Sequence, residues 1–109
     1  MGNTLKNLFI FQYKIEYFYP YIFIMSSVLL ELLDGIRGYE ISPNLASNSG
    51  IQRMEDGSLT IPGTMFSIMV IKAWKLYSLT WVERGQVHDW NTGNYDRLRA
   101  QVLRIAGNQ

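Results

Sequence analysis

The sequence contains no cysteine and a single histidine among its 109 residues. Without thiols there are no disulfides, no thiolate nucleophile, no iron–sulfur cluster and no thiolate zinc site. With one imidazole, an all-histidine metal centre would need further chains. Net charge is almost absent as well. Ten basic and nine acidic side chains leave +1, which excludes the strongly basic character of a non-specific nucleic-acid coat. Catalytic motifs are missing too: there is no G-x-S-x-G, no phosphate loop ending in Gly-Lys-Ser/Thr and no paired-histidine helix. These absences predict a protein that is not an enzyme, holds no metal and needs no cofactor. The lack of cysteine fits the cytoplasm or another reducing compartment better than a secreted disulfide protein.

Apolar material is plentiful by contrast, with 48% hydrophobic against 17% charged residues. That composition folds, and the length fits one domain. Seven Tyr and five Phe are spread unevenly, because eight of them fall in the first 23 positions, where Lys6, Lys14 and Glu16 carry the charges. Two readings stand for residues 1–24: an aromatic extension, or translated A/T-rich sequence upstream of a natural start at Met25. Residues 25–109 form the expected single small domain. The uncharged stretch from Tyr17 to Leu30 is 14 residues long and broken by Pro20, short of the roughly 18 to 20 apolar residues that cross a bilayer. A myristoylation signal fails at Lys6, where Ser or Thr is needed. The favoured local reading is an aromatic strand from Leu8 to Tyr19, then a helix from Tyr21 to Leu33. Ile22, Met25, Leu29, Leu32 and Leu33 line one face of that helix and Asp34-Gly35 stops it.

Gly, Pro, Asn and Ser punctuate residues 35–50, predicting a loop with one short strand from Gly38 to Ile41 and a linker from Ser42 to Gly50. Apolar runs flank Glu55-Asp56-Gly57-Ser58, and an Asp-Gly pair in that setting predicts a β-hairpin at 51–61. Residues 64–84 contain no Gly, Pro, Asn or Asp. The unbroken length favours a central helix at about 64–83 with Thr64 as N-cap, whereas the wealth of β-branched and aromatic types keeps a strand alternative open. A polar loop is expected from Arg84 to Gly93. A C-terminal amphipathic helix at 94–106 follows, capped by Asn94, with Asp96 in its first turn, Tyr95, Leu98, Val102 and Ile105 as its apolar stripe and Gly107 as its stop. Together these elements predict an α+β fold.

Few residues invite chemistry. His88 beside Asp89 and Trp90 lacks an accompanying nucleophile, since neighbours on an extended chain point apart. Glu55 and Asp56 do not continue into a calcium-loop pattern and are explained by the turn. Arg97, Arg99 and Arg104 give the last helix phosphate-contact candidates. Arg99, projecting near Leu103, calls for a carboxylate or carbonyl partner. The strongest hint is the ring load: Tyr13, Tyr17, Phe18, Tyr19, Tyr21 and Phe23 in front, with Trp74, Tyr77, Trp81 and Trp90 behind. A chain of this size buries about 60 to 70% of its unfolded surface, so some rings are expected outside, where such residues recruit partners. The expected function is therefore a non-enzymatic interaction subunit that self-associates as a homo-oligomer or joins a larger assembly. The alternatives are peripheral membrane association through the aromatic segment, with lysines at the headgroups, and a nucleic-acid accessory role through the arginine helix.

Overall fold

A computed structural model describes residues 27–45 and 50–108. The expected strand at Leu8–Tyr19 and the six aromatic candidates from Tyr13 to Phe23 lie outside the described residues, as do Ile22, Met25 and residues 46–49 of the Ser42–Gly50 linker.

The fold is α+β: the described residues form two helices and a five-stranded antiparallel sheet whose spatial order is its chain order. Helix α1 is described over residues 27–35. The strands are β1 (Gln52–Arg53), β2 (Leu59–Thr60), β3 (Phe66–Ile71), β4 (Leu76–Glu83) and β5 (Gln86–Thr92), and α2 (Tyr95–Gly107) closes the chain. No strand forms at 38–41. Gly38 and Tyr39 there take positive φ of 81° and 64°, a conformation that cannot continue a ladder.

The hairpin at 51–61 is present, with β1 antiparallel to β2. Gly57 takes a φ of 91°, and the Ser58 amide and hydroxyl donate to Asp56 Oδ1 at 2.9 and 2.7 Å. Those two bonds hold the Asp56 carboxyl below its usual range. A second turn at Pro62-Gly63 brings the Thr64 amide to the Ile61 carbonyl at 3.0 Å, with Gly63 at φ 89°. Proline then glycine in the central positions is a type II turn.

The central helix expected over 64–83 is not formed; the strand alternative holds. β3 and β4 pair in full register from Phe66↔Trp81 to Ile71↔Leu76. Thr64, the expected helix cap, instead donates its hydroxyl to the Ile61 carbonyl at 2.6 Å and closes the turn. The connection between the strands is a single 3-10 turn, Lys72–Trp74, ended by Lys75 at φ 49°. A lysine thus occupies the left-handed position that glycine normally marks, which is why no breaker appears in the sequence. The expected polar loop 84–93 is likewise mostly strand. Arg84 and Gly85, both at positive φ (54° and 74°), make the two-residue turn that suits a hairpin, and β5 pairs with β4 from Glu83↔Gln86 to Tyr77↔Thr92.

Alternation sorts the sheet into two faces. Phe66, Ile68, Tyr77, Leu79 and Trp81 are buried on the first, where they join Leu29, Leu32, Leu33 and Ile36 of the α1 region and Leu98, Val102 and Ile105 of α2 in one core. α2 begins as its cap predicts, with Asn94 Oδ1 accepting from the Arg97 amide at 3.0 Å. It runs through Gly107 to a C-cap at Asn108.

Candidate functional site

Tyrosines tie the first helix to the sheet. The last carbonyls of a helix have no partner within it. Here the Ile36 carbonyl, just past α1, accepts from the Tyr77 hydroxyl at 2.8 Å, and the Leu33 carbonyl accepts from the Tyr95 hydroxyl at 2.8 Å. The Tyr77 oxygen also accepts from the Tyr39 amide at 3.1 Å. The Tyr39 and Tyr77 rings stack with centroids 4.9 Å apart, Tyr95 meets Tyr77 edge-on, and the Arg37 guanidinium lies 4.6 Å above the Tyr95 ring. Tyr39 further donates its hydroxyl to the Gly93 carbonyl. Burial, the largest effect, raises the Tyr77 hydroxyl above its usual range. Tyr77 is fully buried and Trp81 nearly so, so neither ring is offered to a partner as expected; both belong to the core of this chain.

A second cluster forms at the opposite end of the sheet. Trp81 and His88 are cross-strand partners whose rings stack at 5.1 Å. Glu83 stands two residues beyond Trp81 on the same face. Its Oε1 accepts from Trp81 Nε1 at 3.2 Å and its Oε2 pairs with Arg104 Nη1 of α2 at 3.2 Å. The Arg104 bond first, then that from Trp81, holds the Glu83 carboxyl below its usual range. Both oxygens are engaged and the group is ionised near neutrality, so it clamps α2 to the sheet and is a poor proton carrier. Beside it opens a cleft of about 640 Å³ with Met65, Val82 and Ile105 as apolar wall and Glu83, Arg84 and Asn108 at the rim.

The structure therefore brings Trp81, His88 and Arg104 together and leaves Arg97 and Arg99 elsewhere on α2, both exposed. With Arg104 neutralised by Glu83, the three arginines do not form one phosphate-facing row. Among the described residues no three of His, Asp and Glu gather as metal ligands, and no helix is long and apolar enough to cross a membrane. Trp74 stands apart from both clusters. It is 76% exposed at the tip of the β3–β4 connection, between Lys72, paired with Glu40, and Lys75.

Two surfaces had no signal in the loop-and-helix reading of residues 64–93. One is the second face of the sheet, where none of Ser67, Met69, Ile71, Leu76, Ser78, Thr80, Val82, Val87, Asp89 and Asn91 is buried. Its apolar pairs lie at both ends: Ile71 against Leu76 beside the 3-10 turn, and Val82 against Val87 beside the Arg84-Gly85 turn, where Val82 also donates its amide to the Met65 carbonyl at 2.9 Å. The other is the outer edge of β5, the last strand of the sheet. The pair Glu83↔Gln86 closes a two-residue turn, so the residues facing β4 for hydrogen bonding are Gln86, His88, Trp90 and Thr92. The backbone amides and carbonyls of Val87, Asp89 and Asn91 consequently point away from the sheet. Only Glu83 could have been anticipated, as a lone acid ending an apolar run, once that run was read as a strand. The chain matches no protein-family model, no curated protein and no solved structure.

Proposed function

We propose that this chain is a non-enzymatic assembly subunit that works through contacts with other protein chains, with further copies of itself as the first partner. The observation that supports this reading is the one-sided layering of the sheet. Both helices contribute their buried residues to one face, while the second face keeps Met65 at 53% and Val87 at 68% exposure on either side of Val82. Exposed apolar groups on β4, on β5 and on the residue just before β3, rimmed by hydroxyl and amide side chains, are the composition of a contact surface. Light-scattering mass on a sizing column, without detergent and over a range of concentrations, tests it. A whole multiple of the chain mass is expected, and a single-chain mass at every concentration would contradict the reading.

One observation favours membrane-surface association as a second reading. Trp74 projects from its tip next to Lys75, and an indole beside a lysine suits the headgroup layer of an anionic bilayer. Flotation with anionic liposomes that is lost in Trp74→Ala supports it; recovery of all the protein away from the liposomes rejects it. The arginine helix lends less to a nucleic-acid role, because the Arg104 charge is already met by Glu83.

A further inference from the structure

We infer that the partner is a second copy of this chain, bound by antiparallel pairing of β5 with β5 about a two-fold axis at Trp90, so that two five-stranded sheets join into one; this rests on the assembly reading above. The other edge strand, β1, is two residues long, and short edges are guarded against pairing by their length. β5 is seven residues long, carries no lysine and no proline, and keeps an unbroken register with β4 that leaves no bulge. Lysine, proline and bulge are therefore missing as guards of this edge, Asp89 being its one carboxylate, and the outward amides and carbonyls of Val87, Asp89 and Asn91 meet no partner among the described residues. Water satisfies such a row in the single chain and an added strand satisfies it in its place, and the sequence of β5 decides which strand fits.

Antiparallel partners share a face, so the axis must pass through a residue of the strand. An axis at Asp89 sets two carboxylates directly opposite each other, which is destabilising. An axis at His88 sets Val87 against a carboxylate. An axis at Trp90 sets Asp89 opposite Asn91 of the second copy and Asn91 opposite its Asp89, carboxylate against amide twice. These outward residues exchange backbone hydrogen bonds, while Trp90 faces Trp90 in the closer, non-hydrogen-bonded type of pair. Trp90 is half-buried in one chain, and the second copy covers the remaining ring. Self-complementarity in this register is what selects a copy of the chain over an unrelated strand.

Single substitutions in the full-length chain read the register. Asn91 is exposed, so its replacement leaves the fold in place. Asn91→Asp creates two like-charge pairs across the axis and is expected to weaken the dimer about tenfold at low salt, while Asn91→Lys creates two opposite-charge pairs and tightens it. Because the natural chain has no cysteine, Trp90→Cys under mild oxidation is expected to give a disulfide-linked dimer, the facing Cα atoms lying about 4.5 Å apart. An oligomer whose dissociation constant ignores both Asn91 changes overturns the β5 pairing and leaves the assembly reading standing. A chain monomeric at every concentration overturns both.

Discussion

The Tyr77 hydroxyl, on β4, donates to the Ile36 carbonyl at 2.8 Å and accepts from the Tyr39 amide at 3.1 Å. One phenol thus terminates α1 and anchors the turn that follows it. Tyr39 holds its positive φ of 64°, which is uncommon for a bulky residue, because its amide, its ring and its hydroxyl are all engaged by this arrangement.

Tyr77→Phe keeps the ring and removes both bonds, leaving a buried carbonyl without its donor. The expected loss is about 1 to 3 kcal/mol, measured as a fall in urea midpoint at unchanged slope. The sign of the pH effect follows from the raised hydroxyl. The folded state favours the neutral phenol, so its contribution is complete below the ordinary tyrosine value of 10.0 and declines as pH rises through the higher folded value. The phenylalanine variant should lack this alkaline component.

Glu83→Gln tests the clamp between β4 and α2. The native carboxyl titrates below the ordinary 4.5 because Arg104 and Trp81 bind its charged form. Its stabilising contribution is present above that value and is lost as pH falls through the lowered one. Stability of the natural chain should therefore drop below pH 4.5 more than that of the Gln variant, as followed by urea titrations across acid pH. Equal acid dependence would remove Glu83 from the account.

Gly35 lies where a Cβ would come within 2.4 Å of the buried Leu45 side chain. Gly35→Ala should cost about 1 kcal/mol net, overpacking outweighing the gain in helix propensity. The same change made on a Leu45→Ala background should cost nothing or stabilise, since the obstructing atoms are gone. Additive costs in that double-mutant cycle would contradict the contact.

Trp74→Ala should leave stability within about 0.5 kcal/mol of the natural chain, because the 3-10 turn that carries the ring contains no buried residue. A larger fall in the thermal or urea midpoint would show that the indole supports the fold and is not free for a partner or a lipid surface.

Residues whose local chemistry agreed with their tertiary role were legible in the sequence. Asp56-Gly57 announced its hairpin, and Asn94 with Leu98, Val102 and Ile105 announced α2. Residues 64–93 were read differently because their punctuation is atypical. Lys75 and Arg84 take left-handed positions without being glycine, so one breaker-free stretch conceals two strands and a turn. β5 looked like a loop because its core-facing positions are His88, Trp90 and Thr92, amphipathic residues that leave no apolar alternation to detect. The surplus of rings was partly real: Trp74 is outside, whereas Tyr77 and Trp81 were absorbed by a core that a central helix would not have provided. The cluster of Glu83 with Arg104 depended on a strand–helix contact 21 residues apart, and no local spacing encodes that.

Hydrogen exchange resolved along β5 tests the edge pairing most directly. At high protein concentration the amides of Asp89 and Asn91, which bond across the axis, should be as protected as those of His88, Trp90 and Thr92, and dilution should release the first pair alone. Fast exchange of Asp89 and Asn91 at every concentration, with the β4-facing amides still protected, would contradict the two-fold sheet.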